Sequence, residues 1–196
     1  MKEKPILFNA HMVRAILDNR KSQTRRVIKS QPIGPVQKLG ACWSWADTGS
    51  RDPEFGGHYG FSCPHGKPGD RLWVRETVCL SGSVPFYRAD GDPHIKVRWT
   101  PSIFMPRSAS RITLEITDVR VERLQSISET DAISEGIDRI GGEYSVEPWK
   151  NYLKSGNGYQ KSTPQASYMT LWQSINGAES WDANPWVWVI EFRRVH

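Results

Sequence analysis

Cysteine is scarce in this chain of 196 residues. Cys42, Cys63 and Cys79 are an odd number and widely spaced, which excludes a disulfide framework as the basis of stability. Long apolar runs are missing as well. No stretch approaches the ~20 residues that cross a bilayer as a helix, and Met1-Lys2-Glu3-Lys4-Pro5 opens no apolar leader segment. A reduced, cytoplasmic setting is therefore expected, with no membrane and no disulfide-linked partner. No run of like charges forms a nucleic-acid-binding tail. There is no phosphate-cradling glycine loop in a strand–loop–helix context, no Gly-x-Ser-x-Gly elbow and no His-Glu-x-x-His helix, so the P-loop, α/β-hydrolase and zincin classes are not indicated. Cys42, His58, Cys63 and His65 include metal-ligating types, but the Cys63-Pro64-His65 spacing does not match a zinc knuckle. Neither a metal nor any other cofactor is expected.

Tryptophan and mild positive charge stand out among what is present. The chain carries nine Trp and a formal net charge of +5. The charge permits a polyanionic partner without requiring one. Most of the Trp belong in a core or a barrel wall, with some free to stack on flat ligands. The length favours one domain, residues 1–196, with a core large enough to need no staples.

The order of elements is irregular. Pro5–Phe8 reads as a buried strand, and Asn9 caps a helix whose Met12, Val13, Ile16 and Leu17 recur at helical spacing. Residues 30–66 are rich in glycine and proline and read as a long lid-like insertion, with a brief strand at Cys42–Trp45. Arg71–Val78 alternates as a strand, with Leu72, Val74 and Glu76 on one face and Trp73, Arg75 and Thr77 on the other. Phe86–Arg88 and Ile95–Trp99 are expected to pair across a turn. Arg111–Leu124 is the clearest strand, and its apolar phase shifts after Asp118, the mark of a bulge or bend. Ser128 opens a short helix that Gly136 ends. Residues 138–163 form a second polar insertion, Pro164 starts a helix, and Trp186–Phe192 is a strand buried on both faces. No βαβ alternation appears. The expected class is α+β: a small, mostly antiparallel barrel with peripheral helices and long loop insertions.

The densest chemistry lies in Leu17–Arg26. Arg20, Lys21, Arg25 and Arg26 stand there with the hydroxyls of Ser22 and Thr24 and the amides of Asn19 and Gln23. Such a cluster suits a solvated basic turn, an anion pocket, or a hydroxyl nucleophile with a lysine beside it. Thr24 needs a base to take its proton, and Lys21 serves once burial or neighbouring cations lower its pKa. A carboxylate is then needed to orient the lysine or carry protons. Glu115, an acid within an apolar strand, and Glu76, beside Arg75, are the candidates. Water on that face of the strand explains Glu115 equally well.

Four stretches in order resemble the ASCH-domain family, most of all its longer phage and prophage members. They are Asn19–Arg26, Lys67–Glu76, Ile112–Ile116 and Trp188–Phe192. The resemblance frames the whole chain and leaves 30–66 and 138–163 as elaborations. It implies a PUA-like β-barrel, a fold also used for RNA binding. It further implies an amidohydrolase activity on N(4)-acetylcytidine, because a small bacterial member of the family releases cytidine and acetate from that nucleoside. Lys21 and Thr24 match its catalytic lysine and threonine, Arg26 its final arginine, and Glu115 its catalytic glutamate. Asn19 replaces a glycine and Ser22 a threonine, and this chain is much longer. The expected catalytic set is therefore Lys21, Thr24 and Glu115, with Arg26, Trp73, Arg75 and Glu76 binding a modified cytosine nucleoside or RNA. An RNA-binding PUA-like module and a metal-independent ribonuclease are the alternatives.

Overall fold

The computed structural model describes residues 1–40, 42–46, 58–81, 84–92, 95–142, 144–146, 148–153 and 161–195. The fold is α+β, mostly strands with few helices. Its frame is a five-stranded sheet built from β1 (Glu3–Leu7), β2 (Gln23–Val27), β6 (Arg71–Arg75), β9 (Thr113–Arg123) and β10 (Trp186–Arg194), in the order β1-β6-β9-β10-β2. β1 runs parallel to β6; the other neighbours are antiparallel. The ladder leaves β1 and β2 as its two ends and does not close into a barrel among the described residues. Helix α1 (Ala10–Leu17) links these two end strands, capped by the Asn9 side chain on the Met12 N–H. One side chain reaches across the seam: Arg26 Nη2 donates to Leu7 O at 2.6 Å.

β10 is the spine because its side chains alternate between two cores. Trp188, Ile190 and Phe192 join Ile6, Phe8, Val13, Ile16, Leu72, Val74 and Leu114 in the first. Val187 and Val189 join Leu124, Ile127, Ala132, Tyr168, Leu171 and Trp172 in the second, under α2 (Glu129–Ser134) and α3 (Pro164–Asn176). A strand buried on both faces reads as a continuous apolar run, which is the pattern of Trp186–Phe192. The phase change near Asp118 is a bulge. Glu191 pairs with Asp118 and Phe192 with Ile116, so Thr117 is the extra residue on β9.

Two expectations about local structure need correction. The 30–66 segment contains more order than a lid: β3 (Val36–Leu39), β4 (Cys42–Ala46) and β5 (His58–Phe61) form a second antiparallel sheet. Its Trp43 and Phe61 meet Trp188 with ring centroids 4.9 and 5.3 Å apart. Burial of aromatic surface holds this sheet where turn residues alone suggested loop. Residues 47–57 of that insertion, and 154–160 of the second, lie outside the described residues. Phe86-Tyr87, as β8, pairs with β7 (Val78–Cys79) rather than with Ile95–Trp99. The Tyr87 hydroxyl donates to Ala109 O, and its ring packs under Arg111, which fixes that choice. No helix among the described residues is long and apolar enough to cross a membrane, and Cys42, Cys63 and Cys79 are free thiols.

Trp188→Ala removes the ring on which both Trp43 and Phe61 pack. A loss of about 3–5 kcal/mol is expected in denaturant unfolding.

Candidate active site at the free edge of β2

The donor-rich stretch is not a solvated turn. Lys21, Gln23, Thr24 and Arg25 are all buried, and Gln23–Val27 is a strand. The chain reaches this strand through Asn19, which takes a positive φ of 57° after α1, a conformation that Asn tolerates better than most residues. Within β2 the side chains alternate. Thr24 and Arg26 stand opposite Ile190 and Trp188 of the first core, while Gln23 and Arg25 take the other face. Ser22 O accepts from Phe192 N–H, and Ile28 N–H donates to Trp186 O. By the alternation of an antiparallel ladder, Ser22, Thr24, Arg26 and Ile28 then bond to β10, and Gln23, Arg25 and Val27 turn their amides to the open edge.

Lys21 occupies that edge. Its side chain has no solvent exposure. Its Nζ donates to Gln23 O at 2.7 Å, to Glu135 O at 2.8 Å and to Glu135 Oε2 at 2.8 Å, so all three ammonium protons are used. Glu135 Oε1 accepts in turn from Arg25 Nη1 at 3.3 Å. Burial pushes the Lys21 pKa down; the Glu135 carboxylate opposes this, and Arg26 and Arg25 add to it. The net direction is below the ordinary lysine value, which prepares a base.

Glu135 follows the last residue of α2, and what fixes α2 fixes Glu135. Ser128 caps it through Asp131 N–H. Arg25 Nη2 and Arg120 Nη2 both bond Asp131 Oδ2 at 2.9 Å, and Arg120 also engages Glu122 and Glu191. Burial would raise the Asp131 pKa, but these two guanidinium groups more than offset it and hold it low. Gly136 comes next, with φ of 82°; a Cβ there would lie 2.8 Å from both Ala15 Cβ and Lys21 Cβ. Only glycine lets the chain turn this close to the lysine.

A cavity of about 60 Å³ opens beside this pair. It is lined by Thr24, Arg25, Arg26 and Glu135 on its polar side, and by Met12, Val27, Tyr168, Leu171, Trp172 and Ile175 on the other. Arg25 Nε, Arg26 Nε and Trp172 Nε1 are buried donors with no partner among the described residues. Burial, followed by the Glu135 charge, keeps the Tyr168 phenol protonated well above its usual range. A larger cleft, about 640 Å³, opens against Asn19, Arg20, Ser22 and Ser134, chain neighbours of Lys21 and Glu135, and against Trp149.

The structure thus brings Thr24 and Arg26 to one cavity and places Lys21 against a carboxylate that lines it. It does not bring Glu115 there. Glu115 sits on β9 opposite Arg193, accepts from Arg193 Nη2 at 3.0 and 3.1 Å, and faces away from the Leu114 and Ile116 side. The carboxylate on Lys21 is Glu135, just past a helix that the sequence marked by its Ser128 cap, the acids of its first turn and its terminal glycine. Trp73, Arg75 and Glu76 also lie elsewhere. Trp73 stacks under Arg75 and Arg107. Arg75 Nε donates to Met105 O. Glu76, the residue after β6, is buried and held by Arg111 at 2.9 and 3.1 Å. Their surroundings account for them as packing and pairing groups. The His58 side chain lies outside the described residues. Burial, with Arg26 and Lys4 nearby, pushes His65 down to about 4.

No family model, curated protein or solved structure matches this chain. The site is therefore read from its geometry.

Two stability measurements separate the acids. Glu135→Gln leaves Lys21 buried without a counter-ion, and a loss of about 3–5 kcal/mol is expected; Glu115→Gln, at a solvated pair with Arg193, should cost at most ~1 kcal/mol. Gly136→Ala should cost at least ~1–2 kcal/mol for the left-handed backbone alone. Because the folded Lys21 pKa lies below its unfolded value, the unfolded chain binds more protons between the two, so stability should rise with pH across that window. The rise should vanish in Lys21→Met.

Proposed function

We propose that this chain is an amidohydrolase of ASCH type that cleaves the N(4)-acyl amide of an acylated cytosine nucleoside such as N(4)-acetylcytidine. The single observation that carries the reaction class is the buried Lys21–Glu135 pair, which abuts the strand of Thr24 at a cavity that both Thr24 and Glu135 line. The cytosine nucleoside, and a PUA-like reading of the open sheet, rest on the resemblance of the Asn19–Arg26 stretch and its companion motifs to that family.

Acyl transfer by a threonine needs four things, and the site supplies groups for each. The nucleophile is the hydroxyl of Thr24, a buried residue that lines the cavity. The base is Lys21 in its neutral form, which burial favours. A neutral amine keeps two N–H donors and gains a lone pair, so the Gln23 and Glu135 carbonyl contacts persist while the contact with Glu135 Oε2 becomes a site of proton exchange. Thr24 Oγ1 attacks the amide carbon, its proton passes to Lys21, and the carbonyl π electrons move to oxygen. The open-edge amide of Arg25, next in sequence to the nucleophile, and the Arg26 guanidinium are the donors for that oxyanion. Collapse breaks the C–N bond, and a proton from the Lys21–Glu135 pair leaves with the cytosine amine. Water then attacks the acyl-threonine ester, giving a carboxylate and restoring the hydroxyl. Arg25 remains a cation throughout: burial works against its charge, but Glu135, Tyr168 and Asp131 together hold its pKa up. It thereby keeps Glu135 oriented.

Incubation with N(4)-acetylcytidine should yield cytidine and acetate by chromatography. Thr24→Ala and Lys21→Met should each lower kcat by about 10²–10⁴, and Glu115→Gln should leave it within a few-fold. The rate should climb with pH through a lysine pKa below the ordinary value, since deprotonation makes the base. Absence of cytidine with the wild-type protein, or full activity in Thr24→Ala, would overturn this reading.

A further inference from the structure

We infer that the cavity at Thr24 is the acyl pocket of this reaction, that it admits only small acyl groups, and that Trp172 donates to the acyl oxygen. This rests on the amidohydrolase reading and deepens it by naming the acyl class. Size is the first argument. At about 60 Å³ the cavity is several times smaller than sites that enclose a whole ligand, which run to roughly 300–1,000 Å³. An acetyl group fits; a nucleoside does not, so base and sugar lie outside.

The lining is the second argument. Thr24, Arg25, Arg26 and Glu135 present the polar chemistry of the amide, and Met12, Leu171 and Ile175 present an apolar wall for the methyl end. That wall is stiff. Tyr168, Leu171 and Trp172 belong to the second core, packed with Ile127, Ala132, Val187 and Val189. A larger acyl group that pushes toward Leu171 and Trp172 displaces packed α3 side chains, and interiors resist overpacking.

Unpartnered donors are the third. Trp172 is 5 % exposed, lines the cavity, and its indole N–H has no partner among the described residues, as is true of Arg26 Nε and Arg25 Nε. Buried donors are nearly always paired. Three of the eight buried, unpartnered polar atoms among the described residues belong to residues that line this one cavity, and an acceptor oxygen inside it is the partner assigned to them here. An indole N–H is neutral at any working pH, so it gains most when charge develops on that oxygen. Trp172 is thus assigned to the transition state more than to ground-state binding.

The test compares N(4)-acetylcytidine with N(4)-benzoylcytidine on the wild-type protein, Ile175→Ala and Trp172→Phe. Ile175 is half-exposed at the cavity wall, so its truncation opens the pocket with little effect on folding. The wild type should prefer acetyl over benzoyl by roughly 10–200-fold in kcat/KM, Ile175→Ala should narrow that ratio, and Trp172→Phe should lower kcat on the acetyl substrate by about 10² with KM nearly unchanged. Equal turnover of both substrates by the wild type, or an unchanged kcat in Trp172→Phe with a cooperative melt, overturns the acyl-pocket inference and leaves the amidohydrolase intact. No turnover of either substrate overturns the amidohydrolase reading itself, and the inference with it.

Discussion

A lysine with no contact to water joins two segments 114 residues apart, and much of the structure is arranged to make that contact tolerable. A buried ammonium is costly unless every proton has an acceptor and a counter-ion is close. Here the acceptors are one carbonyl of β2 and both a carbonyl and a carboxylate oxygen of Glu135. Meeting that demand places Glu135 at the end of α2, demands glycine at 136, and recruits Arg25 to the second carboxylate oxygen. Arg25 then draws in Asp131 and Glu122, and these bring Arg120 and Glu191. The network runs along one face of β9, β10 and β2 and beneath the short helix. It therefore supports α2, which at six residues has little stability of its own.

The two cores divide the remaining work. The first, between α1 and the sheet, positions Thr24 and Arg26 and keeps the end strands near each other through Arg26 and Leu7. The second supplies α3, whose Leu171, Trp172 and Ile175 wall the cavity. The site thus forms where two packed layers meet at the end of a sheet, and each layer brings a different kind of side chain: hydroxyl and guanidinium from the strand, apolar and indole surface from the helix.

Much of this was legible in the sequence, and the gaps have physical causes. The α1 cap at Asn9, the cap at Ser128, Pro164 at the start of α3 and the twice-buried Trp186–Phe192 strand are all local signals, and each appears where the pattern puts it. The phase shift near Asp118 was readable because a bulge changes which residues share a face. Glu115 was misplaced because strand alternation says which face a residue takes, not which charge waits there; across the ladder it meets Arg193. Glu135 was invisible as a partner for Lys21, since only the fold brings residue 135 to residue 21. Glu76 is instructive in the other direction. Its place on the Leu72–Val74 face already implied burial, and Arg111 is the group that makes burial possible. The sheet at 36–61 was hidden by its glycines, because its stability comes from Trp43 and Phe61 packing on Trp188 rather than from local propensity.

β2 ends the main sheet, and an end strand offers unpaired amides to any extended chain that meets it. Such edges invite intermolecular pairing and, with it, aggregation. In this protein a charged side chain lies along that edge and spends one of its protons on the Gln23 carbonyl, while α2 packs beside the strand. The lysine that serves as base in the proposed reaction therefore also occupies the sheet edge that an added strand would need. Under the proposed reaction, edge protection and proton transfer fall to one residue, so a change that serves either one constrains the other.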